Sequence, residues 1–213
     1  MNEIIKGVLQ FQEHVYPSQR ELFHRLATKQ EPKVLFLTCA DSRIDPTLLT
    51  QSPPGRLFIC RNIGNIVPPH GTPDGGVATI MEYAIDVLGI EHVIICGHSD
   101  CGAIKSLLEP NPDLKMPTVT AWLRYAEVAR RIAALMHEDQ SGEELLRTVT
   151  EQNVIAQLNN LRTYPEIAAP VAAGKLELHG WCYDIGKGEV NVYDGRRKRF
   201  LPLREWAAAV NLA

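Results

Sequence analysis

Three short apolar runs constrain the fold more than anything else in this chain: KVLFLTC at 33–39, RLFIC at 56–60 and HVIIC at 92–96. Each is too short for a core helix and lacks the polar alternation of a strand with one wet face. KVLFLTC therefore reads as a strand buried on both faces, and RLFIC and HVIIC as a second and a third strand. Helical signals separate them. Asp45-Pro46 supplies an N-cap and a first-turn proline, Gly75-Gly76 precedes a helix over 77–88, and another helix begins near Cys101. Pro117 opens a helix holding Trp122 and Tyr125, and 142–162 forms a long amphipathic helix. Apolar strands alternating with helices predict an α/β fold with a mainly parallel sheet. KLELHGWCYD and EVNVYD, joined by a tight turn at Gly186-Lys187-Gly188, predict a hairpin that closes one edge.

The N-terminal stretch is different. Ile4, Ile5, Val8, Leu9, Phe11 and Val15 form a helical stripe that needs a partner surface. Pro17 is expected to break this helix, and Ser18-Gln-Arg-Glu21 reads as a capping box for a second one with Leu22, Phe23 and Leu26 on its inner face.

Length and charge remove several function classes. With 213 residues, one domain is the default. A net charge of −3 argues against nucleic-acid binding, and Arg196-Arg197-Lys198-Arg199 reads as a solvated turn. No apolar run approaches the ~20 residues of a membrane helix. MNEIIKGVLQFQEHV carries Glu3, Lys6 and Glu13 and has no signal-peptide core, so a cytoplasmic location is expected. Thiols stay reduced there, which makes the five cysteines metal ligands or buried thiols rather than disulfides.

In open parallel sheets, sites form at the C-terminal ends of strands. Cys39 and His98 both fall at such ends, and Cys101 follows three residues after His98. Two thiolates and an imidazole suit Zn²⁺, and three protein ligands leave the fourth position open, as in catalytic sites. Asp41, two residues past Cys39, stands either as a fourth ligand in a closed state or as the acceptor of a hydrogen bond from zinc-bound hydroxide. Arg43 is placed to fork onto Asp41 and hold it off the metal. A purely structural zinc completed by Asp41 is the blander alternative. Cys60, Cys96 and Cys182 lie in strand-like segments and read as buried small hydrophobes. His179 reads as a hydrogen-bonded core histidine, and His14, His24, His70, His92 and His137 as surface or interface residues.

CADSR at 39–43 together with GHSDCGA at 97–103 resembles the β-class carbonic anhydrases. The similarity runs through RNIGNIVPP (61–69), EYAIDVLGIEHVIICGH (82–98), NVIAQLNNLRTYP (153–165) and LHGWCYDI (178–185), nearly the whole chain, and is strongest to the plant-like type I subtype of bacteria and cyanobacteria. The resemblance implies a single catalytic domain over 1–213 whose residues 1–30 form a helical arm at a dimer interface. It implies a sheet of four parallel strands plus an antiparallel edge strand, flanked by helices. It implies one Zn²⁺ per chain on Cys39, His98 and Cys101, with Asp41 and Arg43 as the catalytic dyad. Gln30, Phe58, Ile63, Tyr83 and Gly102 match the substrate pocket, with Gln30 and Tyr83 supplied by the neighbouring subunit.

The implied reaction is reversible hydration of CO₂ to bicarbonate and a proton, by attack of zinc-bound hydroxide on CO₂ in an apolar pocket at the dimer interface. A carbonyl sulfide or carbon disulfide hydrolase with the same zinc set is an alternative. A non-catalytic zinc-stabilised scaffold is another, disfavoured by an intact Asp41–Arg43 pair. The implied assembly is a homodimer, or a tetramer or higher built from it, in the cytoplasm, or in a carboxysome if the source is cyanobacterial. Phe36 stands where the bicarbonate-switched subtype carries Trp, which implies an open zinc site. His70 replaces a more usual Tyr and is assigned no role.

Overall fold

The structure is a computed structural model, and it describes residues 1–73, 75–109, 116–137 and 139–210. The chain divides into two compact units, Met1–Glu31 and Pro32–Ala213.

In the first unit, the helix Asn2–Gln10 runs into a π turn over Phe11–Val15 and then a short helical segment, Tyr16–Ser18. Pro17 therefore does not break the helix where the sequence suggested. Its missing N–H falls at the start of a new segment, just after the widened π turn. The expected capping box is also absent. The Ser18 hydroxyl donates backwards to the Val15 carbonyl (2.7 Å), and Gln19 caps the helix Arg20–Leu26 without a side-chain bond. Phe23 packs edge-on to Phe11 and stacked on Tyr16, with centroids 5.7 and 5.4 Å apart. Ile4, Ile5, Val8, Leu9 and Val15 remain exposed.

The second unit is built on a six-stranded sheet in the order β2-β1-β3-β4-β5-β6. Its strands are β1 (Val34–Cys39), β2 (Leu57–Asn62), β3 (His92–His98), β4 (Glu177–Asp184), β5 (Glu189–Asp194) and β6 (Arg199–Pro202). β2, β1, β3 and β4 are parallel, as the apolar runs require, and β5 returns antiparallel across the 186–188 turn. β6 adds a second antiparallel edge strand beyond the one expected. Its four residues are too few to carry a visible period-2 pattern. The 77–88 helix is an α-helix, Gly75–Glu82, ending in a π turn, Tyr83–Val87.

Alternation along the strands divides the core. Leu35, Leu37, Val93 and Ile95 face one side with Met81, Val154, Leu158 and Leu161. Phe36, Ile94 and Cys96 face the other with Leu49 and Trp181. The helix Gly142–Leu161 lies across β3 and β4. It comes so close that a Cβ on Gly97 would sit 2.9 Å from Val154 Cγ2. This close approach pins β3 at Gly97, the residue just before His98. No helix among the described residues is long and apolar enough to cross a membrane.

Candidate metal centre

The parallel register carries the ends of β1 and β3 to the same edge of the sheet, so Cys39 and His98 arrive side by side. Cys101 closes the set as the N-cap of the helix Gly102–Leu108. All three are buried, with donor atoms within 4.8 Å of one another. Ile44, Ile104, Ala133 and Val149 pack with the two cysteines in one apolar cluster.

The donor geometry fits a single tetrahedral ion. The Cys39 and Cys101 sulfurs are 4.0 Å apart. Two thiolates each about 2.3 Å from a tetrahedral zinc would be about 3.8 Å apart. His98 Nδ1 lies 2.8 Å from the Ser99 carbonyl, which can only accept, so Nδ1 carries the proton and Nε2 the lone pair. That Nε2 is fully buried and has no hydrogen-bond partner. An orphaned buried ring nitrogen is costly in a finished fold, and a metal ligand position accounts for it.

The thiols respond to the same crowding. The Cys101 S–H and the Gly64 N–H hold Cys39 well below the usual thiol range, while Cys101 is pushed up by sharing its proton with Cys39 and by burial. The other cysteines behave as buried hydrophobes, as expected. Burial alone pushes Cys60 up to about 11, and burial is the main cause that raises Cys96 and Cys182.

Asp41 and Arg43 form a complete fork. Arg43 donates from its backbone N and Nε to Asp41 Oδ1 (2.9 and 3.0 Å) and from Nη2 to Oδ2 (2.8 Å). This holds the Asp41 carboxyl well below the ordinary carboxylate range. Asp41 Oδ2 remains 3.9 Å from His98 Nε2, beside the cluster and turned to the guanidinium.

Several supporting residues were not singled out in the sequence. Asp100, with φ 57°, accepts from Arg43 Nη1 (2.9 Å) and pairs with Lys105. Arg61 donates to the carbonyls of Cys39 (3.1 Å), Asp41 (2.6 Å) and Ile44 (2.9 Å), stapling the ligand loop to β2. Ser99 is tied to β4 through its N–H to the Tyr183 carbonyl and its hydroxyl from the Ile185 N–H, both 2.9 Å. Gly64 donates to Cys39 Sγ (3.4 Å) from a φ of 77°, where an added Cβ would meet Ala103 at 3.2 Å. The buried Asn153 holds the Gly64 carbonyl (3.0 Å) and passes the chain of bonds to Gln157 (2.8 Å). One signal was available for this last group. Asn153, Gln157 and Asn160 make a polar stripe at helical spacing inside an otherwise apolar helix face.

The pocket residues divide. Ile63 follows β2 directly beside the cluster, its carbonyl accepting from Trp122 Nε1 (2.7 Å), and Gly102 is the residue after Cys101. Phe58 is not brought to this cluster. It pairs with Leu35, four residues or about 13 Å before Cys39. Its ring lies 6.1 Å from that of Tyr83, so these two belong together and apart from the cysteines of their own chain. Gln30 lies exposed in the first unit.

The comparisons agree with this geometry. The carbonic anhydrase family model matches residues 34–190. The chain is 47% identical over 205 residues to the carbonic anhydrase of Pseudomonas aeruginosa, covering 96% of this chain and 93% of that one. Its structure resembles that of the beta-carbonic anhydrase CcaA with a TM-score of 0.92 and 44% identity, over 95% of this chain and 98% of that chain. It also resembles a tetrameric beta-carbonic anhydrase from Sordaria macrospora with a TM-score of 0.82 and 28% identity, over 90% and 95% of the two chains. The β-class members of this family are zinc enzymes, and a Cys-His-Cys candidate site stands here in the matching fold. The chain belongs to the carbonic anhydrase family, in its β class.

Proposed function

We propose that this protein carries out the family's general reaction, reversible hydration of CO₂ to bicarbonate and a proton, with one zinc ion per chain held by Cys39, His98 and Cys101. The observation that carries the reading is the fully buried, unpartnered His98 Nε2 between two buried thiols and a carboxylate that is already forked by an arginine. When bound, the ion acts as a Lewis acid that brings a water's pKa to about 7. Arg43 keeps Asp41 ionised and turned away from the cysteines and histidine that would hold the ion. Asp41 Oδ2 would then be the acceptor that orients an attacking water. Ile63 offers apolar surface to a nonpolar linear substrate, and the Gly102 N–H is a donor for the substrate oxygen that gains charge.

Phe58 and Tyr83 face each other within one chain and away from its own cysteines, so a second copy supplies both, together with Gln30. That extends to Phe58 the shared-site arrangement which the resemblance implied for Gln30 and Tyr83. The exposed stripe of Ile4, Ile5, Val8 and Leu9 supports residues 1–30 as an arm that packs on a second copy. A homodimer is then the smallest active unit.

Stopped-flow CO₂ hydration on metal-quantified protein tests the assignment. Cys39→Ala, His98→Ala and Cys101→Ala should lose zinc and activity together, whereas Cys182→Ala should keep both. Full zinc occupancy in Cys101→Ala would refute the ligand set.

A further inference from the structure

A second group of metal-competent side chains lies at the opposite end of the parallel sheet, where β3 and β4 begin. β3 starts at His92 and β4 at Glu177, and these two residues are register partners. His179 is two residues along β4, so alternation puts all three side chains on one face. His92 Nδ1 and His179 Nε2 are 3.2 Å apart, and His179 Nε2 lies 3.8 Å from Glu177 Oε2. The three donor atoms fall within 4.8 Å of one another. Two imidazole nitrogens bound to one tetrahedral ion at about 2.0–2.1 Å would be about 3.3 Å apart. The rings therefore already span the required edge. Burial pushes His179 down, towards the neutral imidazole that a metal requires, and the half-buried rings and exposed Glu177 leave a way in from solvent.

We propose that His92, His179 and Glu177 form a second divalent transition-metal site, selective for Zn²⁺-type ions through two imidazoles and a carboxylate, distinct from the catalytic centre and roughly 20 Å from it along β3. His98 lies six residue steps along that strand from His92. The site clamps the starts of β3 and β4 together and takes no part in hydration. It goes beyond the proposed activity and does not depend on it.

The zinc-replete protein is titrated with further Zn²⁺ by calorimetry, and in parallel with Co²⁺ by absorption spectroscopy. One additional equivalent per chain is expected, with cobalt bands that lack the thiolate charge transfer of a cysteine-ligated ion. His92→Gln and His179→Gln should lose this equivalent. Glu177→Gln, at an exposed position that the fold does not need, should weaken it by at least the roughly tenfold that loss of even an outer-shell partner brings. CO₂ hydration should be unchanged in Glu177→Gln. Absence of a second equivalent in the zinc-replete protein would show the histidines to be a hydrogen-bonded pair and overturn the proposal. So would a second equivalent that binds Glu177→Gln as tightly as the parent. Either result leaves the catalytic assignment standing.

Discussion

Arg43 reaches both Asp41 and Asp100 from the loop after β1, and its fork decides what the Asp41 carboxylate can do. Without the guanidinium, that carboxylate is an oxygen ligand less than 4 Å from the histidine nitrogen of the cluster. Arg43→Ala should therefore keep near-normal zinc content while Asp41 swings onto the metal, and hydration should fall by ~100-fold or more, comparable to losing a preorganised electrostatic contact. Lys at this position should rescue only part of the rate, because an ammonium cannot reproduce the fork. Unchanged activity with full zinc in Arg43→Ala would exclude this role. Cys60 gives a second residue-scale expectation. Burial raises its thiol from about 9.0 to about 11. Below pH 9 both folded and unfolded states hold the proton. Between about 9 and about 11 only the folded state keeps it, so the stabilisation is lost as pH rises through that window, by an amount on the order of 2–3 kcal/mol at most. Denaturant titrations across pH 8–11 should show a shallower decline for Cys60→Ala than for the parent, from a lower starting stability.

At the scale of elements, the helix Gly142–Leu161 does two jobs. Its apolar face presses on β3 at Gly97, and its Asn153 holds the Gly64 carbonyl under the Cys39 sulfur. Gly97→Val should push the helix and strand apart, with about 1–3 kcal/mol lost from overpacking. Because His98 is the next residue, zinc affinity should fall in the same variant; thermal unfolding and metal analysis together check this. The strands that carry the site were legible because burial on both faces leaves an uninterrupted apolar run, and Asp45-Pro46 was legible because cap chemistry is local. Asp45 does accept from the N–H groups of Thr47 and Leu48. The errors came where local signals competed. Ser18 could cap forwards or bond backwards to Val15, and Pro17 could break a helix or begin a segment after a π turn. Sequence spacing does not decide between such alternatives.

At the scale of the molecule, the resemblance carried the site further than spacing could. The candidate ligands Cys39 and His98 were readable from strand ends, but the pairing of Phe58 with Tyr83, and the reach of Arg61 across three carbonyls, are tertiary facts with no local code. A site shared between copies predicts that dilution to monomer abolishes activity. Sedimentation at assay concentration should find the active species as a dimer or larger, and a fully active monomer would exclude the shared site. The parallel register of β1 and β3 has a kinetic consequence as well. Cys39 and His98 are 59 positions apart in the chain and meet only when those strands pair across the segment that holds β2. Closing a loop of that length carries an entropic cost of about 3.6 kcal/mol beyond the constant for any closure. Until it closes, an incoming ion finds only the weak His98–Cys101 pair, so metal uptake follows the sheet and does not nucleate it. A chelator present during refolding should then leave the rate of sheet formation unchanged and withhold only the return of activity.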